Sequence, residues 1–281
     1  MASLNVRECL SRGAIGAVGA VPGTCLAHPF DVLKIRMQTA PAAAPTVAAA
    51  VRGVLAAHGS TGFYRGVTAG VQQKVLTRGP MFLAAEACTQ SCELAFGMAR
   101  TPAVLMGSLW SGYLTGSFAA LAEWRKVLGS TAGWGGGSVF SAAREAGQGR
   151  SAMQRVHNAG CRNAAFDVTF FGVSHLLTLR MEETSAAGGS PLLGPGGCYA
   201  AAATAAVVAD YPIDVATKRA MSKPPHERIG GLAGSVVGLV RAEGWGVFRG
   251  LIPKSTEFAT VSQGIYYAFE VVRSSKGLNW A

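Results

Sequence analysis

His28-Pro29-Phe30-Asp31-Val32-Leu33-Lys34-Ile35-Arg36 decides the reading of this chain, because it returns as Tyr211-Pro212-Ile213-Asp214-Val215-Ala216-Thr217-Lys218-Arg219. Asp31 and Asp214 stand 183 residues apart. Gly62-Phe63-Tyr64-Arg65-Gly66 returns as Gly246-Val247-Phe248-Arg249-Gly250, with Arg65 and Arg249 separated by 184 residues, and Glu86 and Glu270 share that 184-residue spacing. Half of the offset falls on Leu121-Ala122-Glu123-Trp124-Arg125-Lys126, which keeps an acid and a base three residues apart but has lost the proline. Self-similarity at a fixed period marks a repeat architecture, here three repeats of roughly 92 residues with the middle one eroded.

The composition around these motifs is that of a membrane protein. Of 281 residues, 49% are hydrophobic and only 14% charged, which disfavours a soluble enzyme or a disordered tail. Mean hydropathy is a modest +0.29 because 37 glycines and many alanines fill the apolar stretches, as in closely packed membrane helices. Charge-free runs cover Gly13–Phe30, Thr101–Ala122 and Thr184–Ala209, each ending at an acid: Asp31, Glu123, and Asp210 with Asp214 beyond it. The first is just long enough to cross a bilayer as a helix and the other two comfortably so. Between them, segments at about 67–92, 159–180 and 251–273 are apolar in bulk but carry Lys74, Arg78, Arg162, Asp167, Lys254 and Glu257. Charges at that depth are tolerated where they face a bundle interior or a water-filled cavity. The expected fold is therefore an all-α membrane protein: six transmembrane helices in one domain, 1–281, with repeats at about 8–97, 101–183 and 190–275.

Loop charge sets the orientation. The connections 39–66, 127–158 and 220–250 carry nine Lys and Arg (Arg52, Arg65, Arg144, Arg150, Arg155, Lys223, Arg228, Arg241, Arg249), against about four in the termini and short connections. The long connections should face the more negative compartment. Stretches in them that end in the glycine-aromatic-Arg-Gly pattern read as short helices lying at the interface, with Arg reaching lipid phosphates. The net charge of +10 belongs to this asymmetry, and nucleic acid is not an expected partner. Six cysteines show no CxxC pair and no Cys/His cluster at zinc-ligand spacing, so neither a disulfide framework nor a metal site is expected. The N-terminus lacks an apolar signal region and is not a long Arg- and Ser-rich transit peptide, so targeting is expected to be internal.

The repeated Pro-x-Asp-x-x-Lys-x-Arg and glycine-aromatic-Arg-Gly patterns and the threefold period resemble the mitochondrial carrier family, over about 8–273 and most closely in repeats one and three. The resemblance implies a multi-pass transporter of the mitochondrial inner membrane with pseudo-threefold symmetry and one central site open alternately to either side. The long basic loops would face the matrix, both termini would face the intermembrane space, and cardiolipin would bind at the glycine-aromatic-Arg-Gly motifs. No cofactor and no enzymatic activity are implied.

Pro29 and Pro212 each remove a backbone donor and can kink a helix, while the acid two residues later and the base three beyond share the inward face. In a carrier-like arrangement these faces form a matrix gate in which Asp31 pairs with Lys126, Asp214 with Lys34, and Glu123 with a base that is missing, because Thr217 stands there. Gln38 occupies the place of a glutamine brace. Such pairs, taken as surface-like, are worth ~0–1 kcal/mol each, so the gate opens easily. The competing reading makes them helix-end charges at the interface. The cytoplasmic gate is poorer: Glu270 faces Thr89, Glu86 faces Thr178, and His175 stands against Arg273. His175 reads as a polar helix residue more readily than as a pH sensor.

Counting thirteen residues upstream of the even-helix landmarks reaches Gln73, Arg162 with Asn163 beside it, and Glu257, which the resemblance makes the substrate contacts. Arg162 can hold a carboxylate bidentately, Glu257 an amine, and Gln73 either, a set that suits a small polar, amino-acid-like or carboxylate solute. The competing reading pairs Arg162 with Glu257 as a frozen polar core. Gly13-x-x-Gly16-x-x-Gly19 and Gly112-x-x-x-Gly116 read as helix-packing faces, and no triad or paired carboxylates read as catalytic. Two functions follow. The first is alternating-access exchange of a metabolite; the second is a transport-inactive carrier-fold subunit of a large inner-membrane complex, favoured by the eroded middle repeat, Thr217 and the weak second ring.

Overall fold

The computed structural model describes residues 4–39, 46–64, 67–131, 149–190, 192–223, 227 and 229–276, with only the backbone of 35, 36, 38, 39, 69, 73, 121, 122, 125–131, 149–151, 273, 275 and 276. Among them the chain is helical and contains no strand. In chain order the helices are α1 (Val6–Thr39), α2 (Val47–His58), α3 (Val67–Phe96), α4 (Arg100–Thr131), α5 (Gly149–Ala186), α6 (Pro195–Ser222), α7 (Leu232–Glu243) and α8 (Leu251–Lys276). Short 3-10 turns, Ser60–Tyr64 and Gly244–Phe248, follow α2 and α7. The six long helices close a ring: α1 packs on α3, α3 on α4, α4 on α5, α5 on α6, α6 on α8, and α8 returns to α1.

Small residues make that ring tight. A Cβ on Gly16 would lie 2.7 Å from the Phe82 ring of α3, and one on Gly19 would lie 2.7 Å from Ala268 Cβ of α8. Gly112 and Gly116 meet α5 in the same manner, where a Cβ would stand 2.7 Å from Ala164 Cα and 2.6 Å from Asn163 Cβ. Both glycine patterns singled out in the sequence are thus points of backbone approach between helices.

The short helices have local causes. Thr46 caps α2 by accepting a hydrogen bond from the Ala49 N–H at 3.3 Å, and Gly59 ends it at φ 63° while donating to the Leu55 carbonyl. Gly244 ends α7 at φ 53° and donates to Val240. Each buries one apolar stripe, Ala50 and Val54 in α2 and Leu239 in α7. Glu243 at the end of α7 accepts a hydrogen bond from Arg219 at 2.5 Å, and this bond holds its carboxyl below the usual carboxylate range.

The bundle is inverted relative to a soluble protein. Large apolar side chains are exposed on all six long helices, among them Leu26 (70%), Leu76 (71%), Phe118 (85%) and Ile252 (75%), whereas Asp31, Lys34, Asp214, Lys254 and Glu257 are buried. By length and apolar composition, one described segment, Val6–Lys34, is able to cross a membrane.

Two sequence expectations change. The run Thr184–Ala209 is not one span, because α5 ends at Ala186 and α6 begins at Pro195. Ala187 and Gly188 form a turn within it, Gly188 at φ 77°, for which charge-free length alone gives no signal. The connection 127–158 is helical at both ends, so Arg155, counted as a loop charge, belongs to α5 and is 1% exposed. Its guanidinium donates to the carbonyls of Ala220 and Lys223, both at 3.3 Å, and lies 4.8 Å from the Trp124 ring centroid. A cation at the end of α6 satisfies carbonyls that the helix leaves without partners.

Candidate functional site

The motif prolines sit inside their helices, Pro29 in α1 and Pro212 in α6, and late in these helices Asp31 and Asp214 turn inward. In each case the residue before the proline meets the aromatic of the following 3-10 turn. His28 lies 6.4 Å from the Tyr64 ring, and Tyr211 lies 6.0 Å from Phe248 while its hydroxyl donates to the Arg249 carbonyl. These contacts tie each proline-bearing helix to its short partner helix, which positions the acid two residues past the proline.

Inside the ring the buried charges form two networks. In the first, Lys34 lies 2.8 Å from Asp31 and 2.7 Å from Glu257, and Lys74 lies 2.6 Å from Glu257. In the second, Arg162 grips Glu123 with two hydrogen bonds of 2.7 Å and reaches Asp214 at 3.4 Å. Lys218 and Lys254 stand 2.8 and 2.9 Å from Asp214, and Lys254 also reaches Asp210 at 3.3 Å. Asn163 accepts from Arg162 at 2.7 Å and fixes the guanidinium plane.

The partners differ from the expected pairing. Lys34 takes Asp31 and Glu257 instead of Asp214, and Arg162 and Glu257 hold neither each other nor an open position. Arg162 supplies the base that Glu123 lacks because Thr217 occupies the motif position; Thr217 is fully buried and its hydroxyl has no hydrogen-bond partner among the described residues. The Arg162–Glu123 pair is also less surface-like than the sequence implied, with side-chain exposures of 10% and 15%. Losing one partner of such a pair costs about 3–5 kcal/mol, well above the surface value. The side chains of Gln38, Gln73, Lys126 and Arg273 lie outside the described residues.

Toward the end of the bundle where the chain begins, the sequence expected Glu86 to meet Thr178. The structure instead places Arg12 at 3.2 Å and Arg100 at 3.3 Å from Glu86, with Gln90 donating to it at 2.8 Å. Thr89 donates to the Ala85 carbonyl of its own helix, and Thr101 and His175 share a hydrogen bond of 3.1 Å. Thr178 and Glu270 are half-buried. Sequence reading passed over Arg12 and Arg100 because they lie outside any repeated motif.

The aromatic residues define the axis. Helices α3, α5 and α8 alternate with the other three around the ring, so their side chains meet across its centre. Phe82 of α3 lies 5.4 Å from Phe171 of α5 and 5.5 Å from Phe269 of α8, an apolar layer between the two charged levels. Nearer the buried charges, Phe166 of α5 lies 5.2 Å from Phe258 of α8. Lys34, Lys74, Arg78 and Lys254 all approach the Phe258 ring within 5.8 Å of its centroid. An aromatic face attracts cations, and here it gathers those of three helices around one point.

Among the described residues, no group of three or more His, Cys, Asp or Glu forms a metal-binding arrangement. Residues 6–93 match the family model described as Mitochondrial carrier protein, and the match supports membership of the mitochondrial carrier family. No curated protein matches the chain.

Proposed function

We propose, taking membership of the mitochondrial carrier family as the premise, that this chain is a multi-pass exchanger of the mitochondrial inner membrane that moves a small polar solute, amino-acid-like or carboxylate, by alternating access. Members of that family are transporters and not enzymes, and the family implies solute transport, a small-molecule solute and the inner membrane. The observation that carries the finer reading is the ring of six helices with charges turned in and large apolar side chains turned out. Such a surface suits lipid, and such an interior suits a polar path. Six crossings and three repeats fit the ring order and the matching His28–Tyr64 and Tyr211–Phe248 contacts.

In this reading Asp31, Lys34, Glu123, Asp214 and the Thr217 position, with Gln38 and Lys126, form the matrix gate. Arg162, Asn163 and Glu257, with Gln73, stand at the solute level and also hold the gate shut, so solute entry competes directly with the ion pairs. Glu86, Thr89, His175, Thr178 and Glu270, with Arg273, form the cytoplasmic gate, where the Phe82–Phe171–Phe269 layer supplies most of the closure. Bound solute offsets the cost of breaking one layer, which favours exchange over net leakage. Cardiolipin is the expected lipid at the Gly62–Gly66 and Gly246–Gly250 motifs.

A second reading, a transport-inactive subunit of a large inner-membrane complex, is favoured by one observation: Arg162 and Glu257 are already occupied by internal partners. The size of the native particle after mild detergent extraction separates the two. Migration as a single chain in its micelle supports the exchanger, and stoichiometric co-migration with a large complex rejects it in favour of the subunit.

A further inference from the structure

Two opposite charges inside the ring have no ion-pair partner among the described residues. Of the four cations around Phe258, Lys34, Lys74 and Lys254 each have a carboxylate within 3.3 Å. Arg78 has none at ion-pair distance among the described residues; its guanidinium lies 4.9 Å from the Phe258 centroid and 5.4 Å from that of Phe166, with the Met81 sulfur at 2.9 Å. Across the axis on α5, beside Phe166, Asp167 is 2% exposed and its Oδ2 has no hydrogen-bond partner among the described residues. No ion pair joins Asp167 to Arg78 among the described residues.

A buried ion without a partner is costly, and the buried Asp167 and half-buried Arg78 left apart inside the ring are costlier than the pair they would make. Neither belongs to the gate networks, and neither caps a helix. The arrangement has a use if a third body completes it. That body needs an anion for Arg78 and a cation for Asp167, and it must be neutral overall, because the other charges described around Phe258 are paired. Arg78 presents a fork that matches a carboxylate, and the Asp167 carboxylate accepts from an ammonium.

We propose that Arg78 and Asp167 are the two poles of the solute site and hold the carboxylate and the ammonium of a zwitterionic α-amino acid. The inference rests on the exchanger reading and refines it: Arg162 and Glu257 keep the gate, and Arg78 and Asp167 read the solute. Arg78 lies against the rings of Phe166 and Phe258, and Asp167 follows Phe166 in the chain, so a solute held there meets an apolar wall, which favours neutral over charged side chains.

The test uses the full chain reconstituted in liposomes, with labelled neutral α-amino acids, the matching α-hydroxy acids and the matching primary amines as probes, and dicarboxylates as a further class. The wild-type protein is expected to exchange at least one amino acid and to prefer it over both analogues by roughly 10–100-fold, the discrimination a site gains when its buried polar groups are otherwise left unpaired. Asp167→Asn should erase the preference over the hydroxy acid, and Arg78→Gln the preference over the amine. If a variant does not fold, the wild-type ranking of the three analogues decides alone. Exchange of dicarboxylates without an amino-acid preference, or retention of that preference in a folded variant, overturns the site and leaves the exchanger reading standing. Absence of exchange for every class, with no probe raising the melting temperature, overturns both.

Discussion

Arg162 is the residue on which the buried charges turn. It is held by two hydrogen bonds to Glu123 and one to Asp214, and it replaces a base that the sequence motif has lost at Thr217. Arg162→Ala is expected to lower stability by about 3–5 kcal/mol, because it leaves Glu123 buried and unpaired. Adding Glu123→Gln to that variant should recover part of the loss, and strictly additive melting shifts in the double-mutant cycle would show that the pair does not exist. Thr217→Lys should compete for Glu123 and tighten the gate, slowing exchange turnover; an unchanged rate would show that this ring is not the gate. The motif acids were legible in the sequence because they repeat. Their partners were not, because Arg162 fills the vacancy from the neighbouring helix α5, outside the repeated acid-base motif, and contact between neighbouring helices leaves no periodic trace.

At the scale of elements, helix contacts decide what substitution each glycine tolerates. Gly112 faces the α5 backbone, where a Cβ would already lie 2.7 Å from Ala164 Cα, so Gly112→Leu is expected to separate α4 from α5 and to prevent a folded monodisperse protein. Gly234 in α7 has nothing within 4 Å of its Cβ position, so Gly234→Ala should be neutral or should stabilise by up to ~1 kcal/mol through helix propensity. A Gly112→Leu protein that melts like the wild type would mean that this interface is not close-packed. The glycine spacing revealed these faces directly. The run Thr184–Ala209 misled because the absence of charge measures only compatibility with lipid, whereas the turn at Gly188 that breaks it acts on the backbone. Arg155 misled for the opposite reason: a charge beside a glycine-rich connection looks solvated, yet it serves the carbonyl end of α6.

For the whole molecule, alternating access requires that one central layer be reached from both faces of the membrane in turn. Phe258 marks that layer, because cations of α1, α3 and α8 converge on its ring and it touches α5 through Phe166. The most direct test places Phe258→Cys in a chain whose own cysteines (Cys9, Cys25, Cys88, Cys92, Cys161, Cys198) are replaced by serine or alanine. The protein is then reconstituted in one orientation and exposed to a membrane-impermeant thiol reagent on each side separately. Alternating access through this ring gives labelling from either side, with the rate on one side falling when a gate variant such as Thr217→Lys is added. Labelling from one side only, or from neither, would contradict alternating access through this ring.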